Sequence, residues 1–137
     1  MRSRSDSTKS RSRRQVEVDY QILFSDPTCS NATAPEKVMV EVKRGSTALD
    51  VMEEAVTDFG RDYRFSATYF GEELGYFIDQ INGTASDVES SCFWFFFTVD
   101  RNGMEVLSPV GVSNFRIPKN GKSVIWRFMQ FVPGMQS

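Results

Sequence analysis

The 137-residue chain contains no histidine, only two cysteines and five prolines. The first absence removes the side chain that changes charge near neutrality, and with it any Ser-His or Cys-His nucleophile pair. Neither Cys29 nor Cys92 has a basic neighbour in sequence that would favour a thiolate, and their spacing matches no zinc motif. No glycine-rich phosphate loop or metal signature appears. The adjacent carboxylates Glu53-Glu54 and Glu72-Glu73 point apart on a helix or strand and mark a solvated face rather than a catalytic pair. The sequence therefore predicts no enzyme. A bilayer-spanning helix needs roughly 20 apolar residues, and no such run exists, so no membrane span is expected.

What the chain has in quantity is aromatic side chains, 13% of all residues. Five of them are consecutive, Phe93 to Phe97, in the stretch SSCFWFFFTVDRNG. Successive strand residues point to opposite faces, so Phe93, Phe95, Phe97 and Val99 line one face and Trp94, Phe96 and Thr98 the other. Both faces are apolar, and each must be covered by protein or by a ligand.

The formal charge of −2 hides an asymmetry, since residues 1–14 carry six cations against one aspartate, which leaves the remainder acidic. That leader has no apolar residue beyond Met1 and reads as a disordered basic tail. Without aromatic interleaving it makes a poor nucleic-acid binder, and no nucleic-acid partner is expected. Arg11-Ser12-Arg13-Arg14 resembles the Arg-x-Arg-Arg site of secretory proprotein convertases; a solvated leader is the other reading. Residues 15–131 are predicted as the domain and 132–137 as a C-terminal tail. Asn31-Ala32-Thr33 and Asn82-Gly83-Thr84 are glycosylation sequons, which chance also produces. With the even cysteine count they favour a secreted protein in which Cys29 and Cys92 form a disulfide; two buried thiols in a cytosolic domain are the alternative.

QVEVDYQILF alternates cleanly from Gln15 to Phe24, and KVMVEVKRG repeats the pattern after a long polar loop, which predicts a hairpin. GSTALDVMEEAVTDFG then changes period. Leu49, Met52, Val56 and Phe59, beside Ala48, Val51 and Ala55, form a helical stripe of about 12 residues. Ser46 or Thr47 is its N-cap, and Gly60 closes it in a left-handed conformation. Several strands follow, with an Asn102-Gly103 hairpin turn. This order fits an α+β domain of the β-grasp (ubiquitin-like) type, a mixed sheet with one helix packed on one face and an additional hairpin. The run Phe93–Phe97 is expected as its central strand, with Phe93, Phe95 and Phe97 against the helix. Trp94 and Phe96, with Trp126 or Tyr76, then fall on the opposite face, as a ligand or partner surface; the other reading is that loops or the long connection from Ser25 to Glu36 cover it.

The strings GSTALDVMEEA, GYFIDQING, CFWFFFTVDRNG and PVGVSNFRIPKNGKSVIWRF, in that order, resemble the C-terminal β-domain of the transcobalamin and intrinsic factor family. The resemblance runs from Val16 to Phe128. It implies a secreted carrier module that contacts cobalamin together with a larger helical domain, and that domain is missing from this sequence. Tyr76, Phe77 and Ile78 after Gly75, and the Phe93-Trp94-Phe95 strand, match segments that meet the corrin. With Phe96 and Trp126 added from the sheet-face reading, the expected ligand-binding set is Tyr76, Phe77, Trp94, Phe96 and Trp126; the resemblance implies cobalamin as a noncovalent ligand and a helical domain or other protein as partner. The competing reading is an extracellular protein-interaction module that keeps the fold without the vitamin.

Overall fold

The computed structural model describes residues 15–119 and 122–131; the predicted tails, residues 1–14 and 132–137, lie outside the described residues. Among the described residues there are eight strands. They are β1 (Gln15–Phe24), β2 (Val38–Lys43), β3 (Phe65–Tyr69), β4 (Tyr76–Ile81), β5 (Thr84–Ala85), β6 (Cys92–Val99), β7 (Glu105–Leu107) and β8 (Ser123–Gln130). The helix α1 spans Ala48–Phe59, followed by a 3-10 turn at Arg61–Tyr63. Five strands form one sheet in the order β2-β1-β8-β6-β7, and β3, β4 and β5 form a second. β1 and β8 pair in parallel, while the other pairs of the large sheet are antiparallel. This is an α+β, β-grasp arrangement in which the first and last strands lie side by side.

The alternation in β1 buries Val16, Val18, Tyr20 and Ile22, and β2 adds Val40 and Val42. α1 packs across these two strands through Ala48, Val51, Met52 and Ala55. Its start is a capping box: Thr47 Oγ1 accepts from the Asp50 N–H at 3.2 Å, and Asp50 Oδ2 accepts from the Thr47 N–H at 2.8 Å. Two expectations at its other end change. Gly60 has positive φ but extended ψ (99°, −169°), so the helix closes outside the left-handed helical region. Phe59, at the final turn, is 40% exposed, with its ring 6.1 Å from that of Tyr63.

The central strand is β8, not the aromatic strand, and the aromatic strand's faces are reversed. Cys92, Trp94, Phe96 and Thr98 are buried, whereas Phe93, Phe95, Phe97 and Val99 are half-buried. Register explains the reversal: Trp94 pairs with Phe128 and Phe96 with Trp126, while Ile22 pairs with Trp126 and Phe24 with Phe128. Residues directly opposite share a face, so Trp94 and Phe96 lie on the helix side of the sheet. The helix itself covers the β1–β2 half. Over β6 the cover is the second sheet, and Trp94 Nε1 donates to Thr84 O at 2.8 Å.

On the outer face the half-buried phenylalanines shelter one another and lie beside Arg127. Phe93 and Phe95 rings meet edge-on at 6.5 Å, and the Arg127 guanidinium lies 6.0 Å from the Phe97 ring centre. Arg127 is ion-paired with Glu105 at 2.5 Å and also donates to Ser25 Oγ. Cys29 and Cys92 are joined, with Cα atoms 5.8 Å apart. The bridge fastens the β1–β2 loop to the start of β6.

Candidate functional site: an aromatic cleft

A cleft of about 210 Å³ opens between the two sheets. Trp94, Phe95, Phe96 and Trp126 from β6 and β8 line it, with Tyr76, Phe77 and Ile78 from β4, Leu107 at the end of β7, and Ser108, Gly111 and Val112 from the connection after it. All five residues expected to bind ligand therefore meet at one site. They do so from a different geometry than parity suggested, because Trp94, Phe96 and Trp126 are 5–7% exposed and belong to the core. Tyr76 and Phe77 are 39% and 51% exposed and form the rim.

The rim is held in place by backbone chemistry that the sequence encodes locally. After the Gly71–Gly75 turn, buried Gly75 adopts φ +71° and lies against Ser113, whose Oγ accepts the Tyr76 N–H at 3.1 Å. Only glycine takes that φ without penalty and leaves room for the serine. The segment carrying Ser113 is anchored in turn to the helix start. Phe115 O accepts from Ala48 N–H at 2.9 Å, Val112 O from Leu49 N–H at 3.1 Å, and Ser46 O from Ile117 N–H at 2.8 Å. Helix N-termini leave N–H groups without intrahelical partners, and here a loop supplies the acceptors. The cleft wall, the helix cap and the β3–β4 turn are thus one connected unit.

Ring packing fills the interior. Phe96 lies 5.4 Å from Trp126 and 5.6 Å from Phe115, and Trp94 lies 4.8 Å from Phe128. Outside the mouth the apolar surface continues over Tyr69, Phe70 and Leu74, which are 54–71% exposed. Tyr69 lies against Tyr76 with the rings tilted and their centres 4.9 Å apart, and Phe70 meets Phe77 edge-on at 6.4 Å. No Asp, Glu, Lys or Arg lines the cleft. Such a surface is suited to binding by shape and apolar contact. A second hollow, lined by Gln15, Glu41, Lys43, Asp50, Glu53 and Glu54, is polar, and its Asp50 is engaged in the helix cap.

The contributions of Leu107, Ser108, Gly111 and Val112 were not anticipated, although the string PVGVSNF that holds two of them was conspicuous. Of the two sequons, Asn31 is exposed. Asn82 occupies the β4–β5 turn with φ +55°, and its Nδ2 donates to Asp62 O at 2.6 Å.

The sequence profile described as "Domain of unknown function (DUF4430)" matches residues 45–130. The chain belongs to that family. Every cleft residue falls inside the DUF4430 match, whereas β1, β2 and Cys29 precede it. The comparison with curated proteins yields no match. Among solved structures, haptocorrin in complex with Cbi is similar, with a TM-score of 0.69 and 18% identity over 88% of this chain. The chain spans about a quarter of that protein, 26% of its length. A protein of Ruminococcus gnavus provisionally assigned to metal binding aligns with a TM-score of 0.49 and 12% identity, covering 87% of this chain and 99% of its own. The likeness to haptocorrin is one of fold, and this DUF4430 domain has a transcobalamin-like fold. No helix among the described residues is long and apolar enough to cross a membrane.

Proposed function

We propose that this DUF4430 domain is a secreted binding module, comparable to the smaller, C-terminal cobalamin-contacting domain of cobalamin carriers, and that it binds rather than catalyses. One observation carries the reading: Tyr76, Phe77, Trp94, Phe96 and Trp126, distant in sequence, line a single apolar cleft. Small-molecule sites are concave and mainly apolar with few polar groups, and this one fits that description. The similarity to haptocorrin, solved with Cbi, supports a corrinoid as the first ligand to test. At about 210 Å³ the cleft is below the roughly 300–1,000 Å³ of complete small-molecule sites. It would take an edge or substituent of a corrin, and a partner chain or helical domain would supply the opposite wall.

A second reading has its own support. The exposed apolar surface over Tyr69, Phe70, Leu74 and Phe77 is of the kind that marks a protein interface, and an extracellular protein-interaction module would use it without a vitamin. Titrating the protein with cobalamin while following corrin absorbance and tryptophan fluorescence separates the two. A saturable change in both supports the carrier reading; no change at high micromolar ligand removes it.

A further inference from the structure

The cleft contains two indoles in very different states. Trp94 Nε1 donates to Thr84 O at 2.8 Å. Trp126 is 5% exposed, and its Nε1 is buried with no acceptor. Buried indole N–H groups are almost always paired, and leaving one unpaired is costly. No protein acceptor lies within hydrogen-bond reach of Trp126 Nε1, and the cleft's Ser108 hydroxyl donates to Val110 O at 2.7 Å and accepts from Val110 N–H. The Thr98 hydroxyl, on the same sheet face, is itself unpaired. Among the residues lining the cleft, then, Trp126 holds the one buried side-chain donor left without a protein acceptor.

Resting on the proposal that the cleft is a ligand site, we infer that it selects a compact group that is apolar except for one carbonyl-type oxygen, which accepts the Trp126 Nε1–H. Volume sets the size, because about 210 Å³ corresponds to about seven water volumes, enough for a small ring or a short amide-bearing chain. The walls exclude charge, since an ion would lose its hydration without a counter-ion. A pure hydrocarbon would fill the space and leave the indole orphaned. Nε1 is closed to water in the free protein, so pairing requires the exposed rim at Tyr76 and Phe77 to yield as the group enters.

The test compares cyclohexanone with methylenecyclohexane, matched in shape and differing in the acceptor, by NMR on the full chain with labelled indole N–H and methyl groups. If both probes shift the Ile78 and Val112 methyls, cyclohexanone alone moves the Trp126 indole resonance, and it binds about tenfold tighter, the inference holds. Trp94, committed to Thr84 O, is the internal control. Trp126→Phe keeps an aromatic ring and should reduce the preference for the ketone to about one. Equal binding of the two probes with an unmoved Trp126 indole overturns the inference and leaves the cleft as a site. So does a bound water contacting that N–H in the free protein. Failure of both probes to touch either methyl overturns the inference and the cleft reading together.

Discussion

Gly75 and Ser113 lie so close that any Cβ at position 75 would overlap the serine hydroxyl oxygen. Positive φ and this overlap act in the same direction, so Gly75→Ala should destabilise by about 2–4 kcal/mol. Adding Ser113→Gly removes the overlap and keeps the backbone strain, so the double variant should regain part of the loss. Urea denaturation of the three proteins checks both statements.

Burial orders the aromatic substitutions. Trp94→Ala and Phe96→Ala remove core rings and should each cost about 3–5 kcal/mol. Phe95→Ala, on the half-buried outer face, should cost less, about 1–2 kcal/mol. Parallel thermal melts give the ranking; a Phe95 variant as unstable as the Trp94 variant would contradict the face assignment.

The Cys29–Cys92 bridge closes a loop of sequence separation 63. The chain-entropy model assigns such a loop about 4 kcal/mol. Reduction, or a Cys29→Ala/Cys92→Ala pair, should lower the urea midpoint accordingly. The β1–β2 loop should then become the first site of proteolysis, because the bridge is a main anchor of that loop.

Asp26 is held below the ordinary aspartate range first by the Thr28 hydroxyl, which donates to Oδ1 at 2.6 Å, then by the N–H groups of Thr28 and Gln130. A carboxylate with a depressed folded pKa contributes stability above its unfolded value of about 3.9 and loses it as pH falls through the folded value. Stability should therefore decline below about pH 4 in the native protein, and Asp26→Asn should flatten that part of the profile. Denaturation midpoints measured from neutral pH down through the acid range decide it.

Much of the fold was legible because its signals are local. β1, β2 and α1 announce themselves by period, and the helix start was legible as Ser46 or Thr47, of which Thr47 is the N-cap. The faces of β6 were not legible from β6 itself. Five consecutive aromatics are apolar in both phases, so alternation carries no information there. The phase is readable on β8, where Arg127 interrupts the apolar run and marks the outward side, but carrying it to β6 requires the pairing of Phe95 with Arg127, a tertiary fact. The five residues expected to bind ligand line one cleft. That Trp94, Phe96 and Trp126 are also core could not be seen without the second sheet, whose β4 and β5 cover the half of the large sheet that the helix does not reach.

The parallel pairing of β1 with β8 also bears on how the protein is made. As the chain leaves the ribosome, the hairpin and helix can form early, but the strand that completes the middle of the large sheet is among the last segments to emerge. Until then β1 presents an unpaired edge and Trp94 and Phe96 lack Trp126 and Phe128 across from them. Folding dominated by such distant contacts is slow and exposes sticky intermediates. Release of β8 is the step that commits the domain, and a chain stalled before Ser123 would be a substrate for chaperones rather than a smaller working version of the protein.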